Sequence, residues 1–465
     1  MDKPTNCIFI MTKNQTKSNK SSSPRNDAFK IVLKFEQQRA RLDDLLEQVY
    51  TQSALSARDK RLLRHLASGT VRYLIYLDWI IDQLYSGEFK RLMDKLKTLL
   101  RLALYEIIFV DKIPPHATVH EYVNLAKNHL NLRQSKIVNG ILRNYLRKQS
   151  TLIPQHLIHK PAERISIQYA FPHWLVQRWI EFWGIEETEQ LCRSLNEPPA
   201  FDLIVNTKKI PIDDFKQKME TQQISYETSQ YFPHVLKIKD VQSVRDAGLL
   251  KKDWCRIQDE SAILPVKAMS IKETDIVLDV SAAPGGKYLQ IIEKRANRGL
   301  TIAADINKNR LQKVRENMTR FGYTGYYVIA DGRYPPFKPV FDIILLDAPC
   351  SGIGVIRKHP DIKWRRDIHQ ITEFSELQGS LLKQAASILK RNGRLIYATC
   401  TIEPLENEKV VESFLRQYVD TFFLQKSPET APFASREGMY RTFPHKHQTD
   451  GSFFAIFQKT NDDLL

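Results

Sequence analysis

Long apolar runs are missing from this sequence, and none approaches the roughly 20 residues that a helix needs to cross a bilayer. The apolar stretch at residues 7–11 is too short for the hydrophobic region of a secretory signal. Both absences favour a cytoplasmic protein without a membrane contact. Either Met1 or Met11 can serve as the start of translation.

Cysteine is also scarce, and its pattern argues against two common uses. The five cysteines are odd in number, lie far apart and include no CxxC spacing. A disulfide framework and a zinc site are therefore not expected, and we predict no bound metal. The five are Cys7, Cys192, Cys255, Cys350 and Cys400.

The glycine-rich segment of the chain matches neither the GxxxxGK[ST] spacing of a P-loop nor the GxGxxG spacing of a dinucleotide site. An apolar strand at residues 275–280 nevertheless precedes it, and a helical pattern from residue 288 follows it. This order can grip a nucleotide-like cofactor, because glycine lets the backbone approach closely and a helix N-terminus offers free N–H groups. We call the segment the cofactor loop; its residues are Ser281, Ala282, Ala283, Pro284, Gly285, Gly286 and Lys287.

Positive charge is abundant but unevenly placed. The formal net charge is +16, and residues 28–150 carry 21 Lys and Arg against 12 Asp and Glu. Residues 151–270 carry 15 against 16 and are nearly neutral. Solvated helix surfaces explain such an excess in a single basic domain. A polyanionic partner explains an excess at one end of an enzyme better, and nucleic acid is the leading candidate.

The chain divides into four segments by composition and periodicity. Residues 1–27 are polar and rich in Lys, Ser and Asn, so we predict a disordered extension. Residues 28–150 have apolar positions at helical spacing and no strand-like alternation, which predicts an all-α domain. Residues 151–270 mix helical and strand patterns and are interpreted as a linker and a mixed α/β region.

Residues 271–465 alternate strands with helices, which predicts a doubly wound, Rossmann-like parallel sheet. We expect the last two strands to form an antiparallel edge, an arrangement that resembles the class I methyltransferases. Predicted helices span residues 308–321 and 372–390, the second closed by Gly393. The predicted strands are residues 275–280, 300–304, 326–330, 341–346, 394–398, 421–424 and 453–457.

Aspartates mark the carboxyl ends of four successive predicted strands. One such aspartate is usually a helix cap or a turn residue, but four in series face the crevice where doubly wound sheets bind ligands. Asp305 follows the second strand, where a carboxylate can accept hydrogen bonds from ribose hydroxyls. The four are Asp279, Asp305, Asp331 and Asp347.

Two of the cysteines, Cys350 and Cys400, lie where the fourth and fifth strands leave the sheet. A single buried cysteine is usually inert, but two at adjacent strand ends beside a cofactor loop favour nucleophilic chemistry. A thiolate added to carbon 6 of cytosine turns carbon 5 into a nucleophile that can accept a methyl group. This chemistry alone does not decide which cysteine attacks.

Four helical segments of the basic region carry a family resemblance. Residues 62–72, 99–108, 113–121 and 138–143 resemble the helical RNA-binding module of the NusB-type antitermination factors. In that family the module binds structured RNA. The resemblance therefore implies that residues 28–150 bind RNA.

Residues 347–365 and the Ala-Thr-Cys-Thr segment at 398–401 carry a second resemblance. They are similar to the RNA cytosine-C5 methyltransferases, and in particular to the small-subunit rRNA enzymes of the RsmB (Sun) type. The resemblance implies that Cys400 is the nucleophile, that Cys350 helps to release the methylated product and that Asp347 holds the cytosine edge. It also implies S-adenosylmethionine as the cofactor, held by the cofactor loop with Asp305, Asp331 and Asp347.

Three positions depart from the family pattern. Ser281 stands where cysteine is common, and Ser452 stands where phenylalanine is expected near the last hairpin. Residues 151–270 resemble the middle region of the same family, which implies that they help to recognise RNA. Ile204 replaces an arginine at a strand end there, so the RNA contact of that arginine is not expected here. None of the three belongs to the predicted reacting groups.

A basic cluster follows Cys350 along the chain. We predict that it contacts the RNA backbone, with Trp364 as a stacking surface; a solvated loop is the alternative. The target cytosine should be unpaired or flipped out of its helix, because a base inside a helix cannot reach the cysteine. The cluster is Arg357, Lys358, His359, Lys363, Trp364, Arg365 and Arg366.

These interpretations predict one function and leave two alternatives. We expect a monomer that methylates carbon 5 of a specific cytosine in 16S rRNA, either naked or in a subunit assembly intermediate, through a covalent adduct. The same chemistry on tRNA or another RNA is the first alternative. A non-catalytic RNA-binding or antitermination factor is the second; residues 28–150 favour it, whereas Cys350, Cys400 and Asp347 argue against it.

Overall fold

The computed structural model describes residues 23–251, 253–295, 298–436 and 438–460. Within them the chain divides into two compact units. The first comprises Leu84–Leu146 and the described residues up to Thr70; the second comprises Val71–Gln83 and the described residues from Arg147 onward. None of the helices in this part of the chain combines the length and apolar character needed to span a bilayer.

Residues 24–148 form helices and no strand, so the all-α character predicted for the N-terminal region is confirmed. The helices are α1 (Pro24–Gln38), α2 (Leu42–Gln52), α3 (Ala57–Arg72), α4 (Leu74–Leu84), α5 (Asp94–Phe109), α6 (Pro115–His129) and α7 (Leu132–Lys148). Both α1 and α6 begin with proline, whose missing N–H is not needed in a first turn. α5 packs against α1 and α6 and buries most of its side chains, so it forms the core of the first unit.

The N-terminal helix begins earlier than predicted. Residues 1–22 of the predicted disordered extension lie outside the described residues, but α1 already begins at Pro24. Arg25 donates to the buried carboxylate of Glu106 at 2.6 Å, and Asp27 is itself buried. The disorder prediction was therefore wrong for residues 24–27. Composition alone predicts that Arg25 is solvent-exposed, but Arg25 pairs with Glu106, which lies 81 residues away in the sequence.

A small antiparallel sheet lies in the first part of the second unit, with strand order β2-β3-β1-β4. The elements are α8 (Pro154–Leu157), α9 (Pro161–Gln168), α10 (His173–Asn196), β1 (Phe201–Val205), α11 (Ile212–Thr221), β2 (Glu227–Thr228), β3 (Val235–Ile238), α12 (Val241–Asp246), β4 (Cys255–Ile257) and α13 (Ile263–Ala268). One apolar cluster holds Leu203 of β1, Leu236 of β3 and Phe215 of α11. The predicted mixed α/β character of this region follows from that packing.

The larger sheet contains the candidate site. Its elements are β5 (Val277–Val280), α14 (Gly286–Lys294), β6 (Thr301–Asp305), α15 (Lys308–Arg320), β7 (Tyr326–Ile329), β8 (Phe341–Asp347), α16 (Ile362–Arg365), α17 (Ile368–Ser387), β9 (Leu389–Thr399), α18 (Glu408–Gln417), β10 (Phe422–Leu424), β11 (Ala434–Arg436), β12 (Met439–Thr442), α19 (Pro444–His447) and β13 (Ser452–Lys459). The strand order is β11-β12-β13-β9-β8-β5-β6-β7, with β10 also paired to β13. β5 to β9 pair in parallel and β13 pairs antiparallel to β9, which confirms the predicted doubly wound sheet with an antiparallel edge.

Helices cover both faces of this sheet. On one face, Leu346 and Tyr397 of the central strands share an apolar cluster with Leu382 of α17 and Val411 of α18. On the other face, Ile343 and Ile396 share a cluster with side chains of α13 and α14. Strands buried on both faces explain why β5, β8 and the second half of β9 are mostly apolar.

Two details of residues 271–465 differ from the predictions. The helix predicted to end at Lys390 ends at Ser387, and Gly393 lies inside β9 instead of closing the helix. Leu389 pairs with Phe341 of β8, and this pairing outweighs the local pattern of a helix end. The β11–β12 hairpin was not predicted, because its strands are too short to show a clear alternation.

Candidate active site

The parallel strands bring the predicted site residues to one edge of the large sheet. β5 pairs with β8 and β8 pairs with β9, so the loops after Val280, Asp347 and Thr399 leave the sheet side by side. Asp347 itself lies next to Ala398 in the register. The cofactor loop, Cys350 and Cys400 are therefore neighbours although they are distant in sequence.

The cofactor loop turns sharply from β5 into α14. Gly285 has a φ of 101°, and a Cβ atom there would lie 3.0 Å from Val314 Cγ1, so both conformation and space favour glycine. The free N–H groups of the first turn of α14 follow directly. Asp305 supports the loop, since its carboxylate accepts hydrogen bonds from the backbone N–H groups of Ala283 at 3.3 Å and Asn307 at 2.9 Å.

Asp279 places a buried carboxylate beside this loop. The residue is fully buried, and neither of its carboxylate oxygens has a hydrogen-bond partner among the described residues. Burial raises the pKa of Asp279 well above its ordinary value, and the nearby Asp347 carboxylate adds to the effect. A buried, unpartnered carboxylate is costly, and a cation would stabilise its charged form. The residues present therefore fit S-adenosylmethionine, which carries a sulfonium and an ammonium group.

Asp331 lies in a loop that reaches the end of β5, since a Cβ atom at the adjacent Gly332 would lie 3.1 Å from Val280 Cγ1. Its carboxylate accepts a hydrogen bond from Arg333 at 2.6 Å, and this bond lowers the pKa of Asp331. The Asp331 carboxylate that is predicted to contact the cofactor is therefore already bound by Arg333. The contact stays a prediction.

A cavity of about 360 Å³ lies along the cofactor loop. It extends from Pro284 and Gly286 to Lys287 and Asp347, and Gln258 lies on its wall. A Cβ atom at Gly286 would lie 2.5 Å from Gln258 Nε2, so a larger residue there would push the Gln258 side chain aside. The cavity thus connects the cofactor loop with the predicted catalytic aspartate.

The two predicted reactive thiols are in direct contact. The Sγ atoms of Cys350 and Cys400 are 3.2 Å apart, with Cys400 exposed and Cys350 partly buried. The hydrogen bond with Cys400 and burial raise the pKa of Cys350 well above its ordinary value. Such a pair can share one proton, so that one sulfur attacks while the other remains a thiol.

Direct contacts fasten the loops that carry these thiols to each other. Ser351 Oγ and Thr401 Oγ1 form a hydrogen bond of 2.9 Å. Gly451 N–H donates to the Gly354 carbonyl at 3.0 Å, and a Cβ atom at Gly354 would lie only 1.9 Å from the Gly451 carbonyl oxygen. The position of the Cys350 loop therefore depends on the close approach of the backbones at Gly354 and Gly451.

Lys287 was predicted only as a member of the cofactor loop, but its side chain lies at the reacting groups. Its Nζ is 2.7 Å from Asp347 Oδ2, and the side chain is largely buried. Burial lowers the pKa of Lys287, but Asp347 and the nearby Cys400 outweigh burial and raise it overall. Lys287 therefore keeps its positive charge beside Asp347 and near Cys400.

The remaining described cysteines lie in apolar cores. Cys192 belongs to the cluster around α10, and Cys255 to the cluster of the small sheet. Burial raises the pKa of Cys192 far above that of a free thiol and raises the pKa of Cys255 to about 12. Both are therefore structural, and Cys7 lies outside the described residues.

The basic cluster after Cys350 is largely internal, which contradicts part of the RNA-contact prediction. Lys363 is only 1% exposed, and its Nζ donates to the Ala170 carbonyl at 3.1 Å and to Asn196 Oδ1 at 2.8 Å. Burial lowers the pKa of Lys363 well below its ordinary value. The Lys363 amino group thus caps buried acceptors inside the fold, and its position in the sequence could not reveal these partners.

Other members of the cluster are engaged in similar ways. Lys358 Nζ lies 2.6 Å from Asp259 and 2.7 Å from Asp450, and Arg357 is buried. The Trp364 indole N–H donates to the Val71 carbonyl at 2.6 Å. The predicted RNA contacts of Arg357 and Lys363 were therefore wrong, because these side chains are buried in the fold. The half-buried Lys358 already pairs with two aspartates. The half-buried His359, Trp364, Arg365 and Arg366 remain predicted contacts.

We expect Lys363→Met to destabilise the protein by about 3 kcal/mol, the scale of leaving buried acceptors unsatisfied. Chemical denaturation of the full chain measures the loss. The exposed Lys383 of α17 provides the control, and Lys383→Met should leave stability unchanged. Normal stability of Lys363→Met together with weakened RNA binding would restore the original prediction.

Glu406 is a site residue that the sequence analysis missed. It is fully buried, and its carboxylate accepts a hydrogen bond from the Ser351 N–H at 2.7 Å. No local pattern indicates a role for Glu406, because the sequence six residues after Cys400 is typical of a polar loop. Only the pairing of β8 with β9 brings it beside Cys350.

Three families match the chain in sequence. Residues 22–147 match the NusB family, and residues 171–245 match the RsmF/B-like ferredoxin-like domain. Residues 266–458 match the 16S rRNA methyltransferase RsmB/F family. Together these matches extend over most of the described chain.

Curated relatives are similar over nearly the whole length. The probable ribosomal RNA small subunit methyltransferase B of Bacillus subtilis (strain 168) is 32% identical over 449 residues, which cover 95% of this chain and 99% of the relative. The ribosomal RNA small subunit methyltransferase B of Serratia proteamaculans (strain 568) is 33% identical over 407 residues, 87% of this chain and 91% of the relative.

Solved structures share the fold. The crystal structure of PH0851 has a TM-score of 0.75 and 26% identity, covering 94% of this chain and 99% of that one. A methyltransferase homolog protein from Pyrococcus horikoshii has a TM-score of 0.56 and 26% identity, covering 65% of this chain and all of that one. The similarity therefore extends from individual motifs to the arrangement of the whole fold.

Proposed function

The chain belongs to the 16S rRNA methyltransferase RsmB/F family, and on this premise we propose that it methylates carbon 5 of a cytosine in 16S rRNA, using S-adenosylmethionine. The observation that carries this proposal is the contact of Cys350 with Cys400 at 3.2 Å, beside the ion pair of Lys287 with Asp347. Carbon 5 of cytosine is a poor nucleophile and needs covalent activation, which a thiolate provides. Transfer to an oxygen or nitrogen would not need this thiol pair.

Cys400 is the nucleophile in this mechanism. It is the exposed member of the pair, and the positive charge of Lys287 lies close to it. The thiolate adds to carbon 6 of the ring, and the displaced electron pair makes carbon 5 nucleophilic. S-adenosylmethionine, when bound, supplies the electrophilic methyl group. Cys400 thereby stays bonded to the RNA until the product is released.

Asp347 and the cofactor loop orient the reactants. Asp347 lies at the end of β8, where Lys287 holds its carboxylate. In this proposal Asp347 binds the polar edge of the cytosine. Asp279, Asp305 and the first turn of α14 would hold the cofactor at the adjacent strand ends. Placing the two binding sites side by side lowers the entropic cost of bringing the reactants together.

Cys350 completes the cycle. After methyl transfer, carbon 5 carries both a hydrogen and the new methyl group. Cys350 removes that proton, the bond between carbon 6 and Cys400 Sγ breaks, and its electron pair returns to Cys400 as a thiolate. The distance of 3.2 Å between the two sulfurs supports these roles, Cys400 as nucleophile and Cys350 as the group that accepts the proton.

The remaining segments serve RNA recognition in this proposal. Residues 28–150 bind structured RNA, residues 151–270 link this binding to the catalytic region at 271–465, and the protein acts as a monomer. The target cytosine is unpaired or flipped, since Cys400 cannot reach a base inside a helix. The substrate is naked 16S rRNA or a subunit assembly intermediate.

The test is transfer of labelled methyl groups from S-adenosylmethionine to total RNA of a strain that lacks this gene. The RNA is separated by size, and nucleosides are analysed, with both naked RNA and subunit particles as substrates. We expect 5-methylcytidine in 16S rRNA. Label in tRNA would support the proposed reaction but show that tRNA, not 16S rRNA, is the substrate. The absence of label in any RNA would favour a non-catalytic RNA-binding factor.

A further inference from the structure

Two thiols 3.2 Å apart raise the question of which one gives up its proton. Two thiolates at this distance would repel each other, so one sulfur must keep its proton while the other attacks. The chemistry of the side chains is identical. The answer must therefore come from the groups that surround each sulfur.

Glu406 is the buried carboxylate on the side of Cys350. It lies in the loop after Cys400, yet its Oε2 accepts hydrogen bonds from the Ser351 N–H at 2.7 Å and from Gln378 Nε2 at 3.0 Å. Its Oε1 is buried and has no hydrogen-bond partner among the described residues. The carboxylate thus holds the residue that follows Cys350. Burial raises the pKa of Glu406, and in its ionised form Glu406 raises the pKa of Cys350.

Other charged and titratable groups face the same cluster. Arg366 donates from Nε to the Ser351 carbonyl at 2.9 Å and partly offsets the carboxylate charge. Glu403 is engaged by Arg178 at 2.5 Å, and the Tyr397 hydroxyl donates to the Glu406 carbonyl. Neither Glu403 nor Tyr397 has a hydrogen bond to the Cys350 loop among the described contacts.

We propose that Glu406 is a positioning residue that acts through Cys350: it fastens the Cys350 loop to the Cys400 loop and keeps Cys350 protonated while Cys400 attacks. The inference rests on the proposed function and extends it by assigning a cause to the different roles of the two thiols. Glu406 disfavours the thiolate at Cys350, whereas the positive charge of Lys287 lies near Cys400.

The pKa of Cys350 agrees with this geometry. The hydrogen bond with Cys400 raises it most, burial raises it further, and the Glu406 charge adds to both. Once Cys400 is bonded to carbon 6, its hydrogen bond with Cys350 is lost and the pKa of Cys350 falls. Cys350 can then release its proton to water and accept the proton from carbon 5.

The test follows alkylation of Cys350 by iodoacetamide as a function of pH, measured by peptide mass spectrometry on the full chain. All variants carry Cys400→Ser, so that alkylation of Cys400 cannot disturb its neighbour. Adding Glu406→Gln should move the midpoint for Cys350 down by about one pH unit, a roughly tenfold faster reaction at a fixed pH below it. Adding Glu403→Gln, the matched buried carboxylate, should leave the midpoint unchanged.

The proposal would be overturned if the midpoint pH for Cys350 alkylation were the same with and without Glu406→Gln. It would also be overturned if Glu403→Gln shifted this midpoint as much as Glu406→Gln does. If Glu406→Gln does not fold, the Cys400→Ser protein alone decides. Its Cys350 midpoint should lie above about 8.5, the value of an ordinary thiol, and a midpoint at or below it would overturn the proposal. No RNA or methyl donor enters this measurement, so its failure is distinct from a failure of the methylation assay.

Discussion

Replacing Cys400 by alanine is expected to abolish methyl transfer, and replacing Cys350 by alanine is expected to trap the protein on its RNA. Without Cys400 no bond to carbon 6 can form, so activity should fall at least about a thousandfold, as when other enzymes lose their nucleophile. Without Cys350 the bond can form, but the proton on carbon 5 is not removed. Denaturing gels with labelled RNA should then show a covalent complex.

A structural cysteine provides the control for this pair. Cys192 is buried in an apolar cluster, so Cys192→Ala should retain most of the activity and form no lasting complex. A covalent complex in Cys400→Ala, together with complete inactivity and no complex in Cys350→Ala, would reverse the two roles. The electrostatic argument from Lys287 and Glu406 would then fail as well.

Gly354→Ala is expected to be the most damaging of the small substitutions. A Cβ atom there would lie 1.9 Å from the Gly451 carbonyl oxygen and 2.8 Å from the Cys400 carbonyl oxygen. Both neighbours are backbone atoms, so no side-chain rotation can relieve the clash. The loops must move apart, and displacing a reacting group by about 1 Å can cost a hundredfold in rate.

Gly379 is the matched control, because it lies inside α17 and a Cβ atom there would meet nothing within 4 Å. Gly379→Ala should keep full activity and stabilise the protein by about 0.5–1 kcal/mol, since alanine favours a helix. Thermal unfolding and methyl transfer measure both variants. Equal activity of the two would show that contact between the Cys350 and Cys400 loops is not required.

The basic cluster shows where sequence reasoning failed and why. Lysine and arginine near a reactive cysteine predict nucleic-acid contacts, because such residues are exposed in most proteins. Here Lys363 caps backbone carbonyls and Lys358 joins two aspartates, so both charges are used inside the fold. Their partners come from segments more than 90 residues away, and no local pattern contains them.

Glu406 and Lys287 show that sequence reasoning can also miss or misplace residues that lie at the site. Lys287 was assigned to the cofactor loop because it follows two glycines, but its side chain meets Asp347, 60 residues away. Glu406 was not singled out at all. Its importance comes from the Ser351 N–H, 55 residues earlier in the chain.

The sequence by itself determined the fold class, the order of the strands along the chain and the residue types available for chemistry. Apolar runs of strand and helix length, a glycine-rich turn and strand-end aspartates are local features, and local backbone preferences act on them directly. Tertiary structure alone decided which polar groups meet. Burial, pairing of charges and the 3.2 Å contact of two sulfurs all depend on segments brought together by strand pairing, which no local pattern specifies.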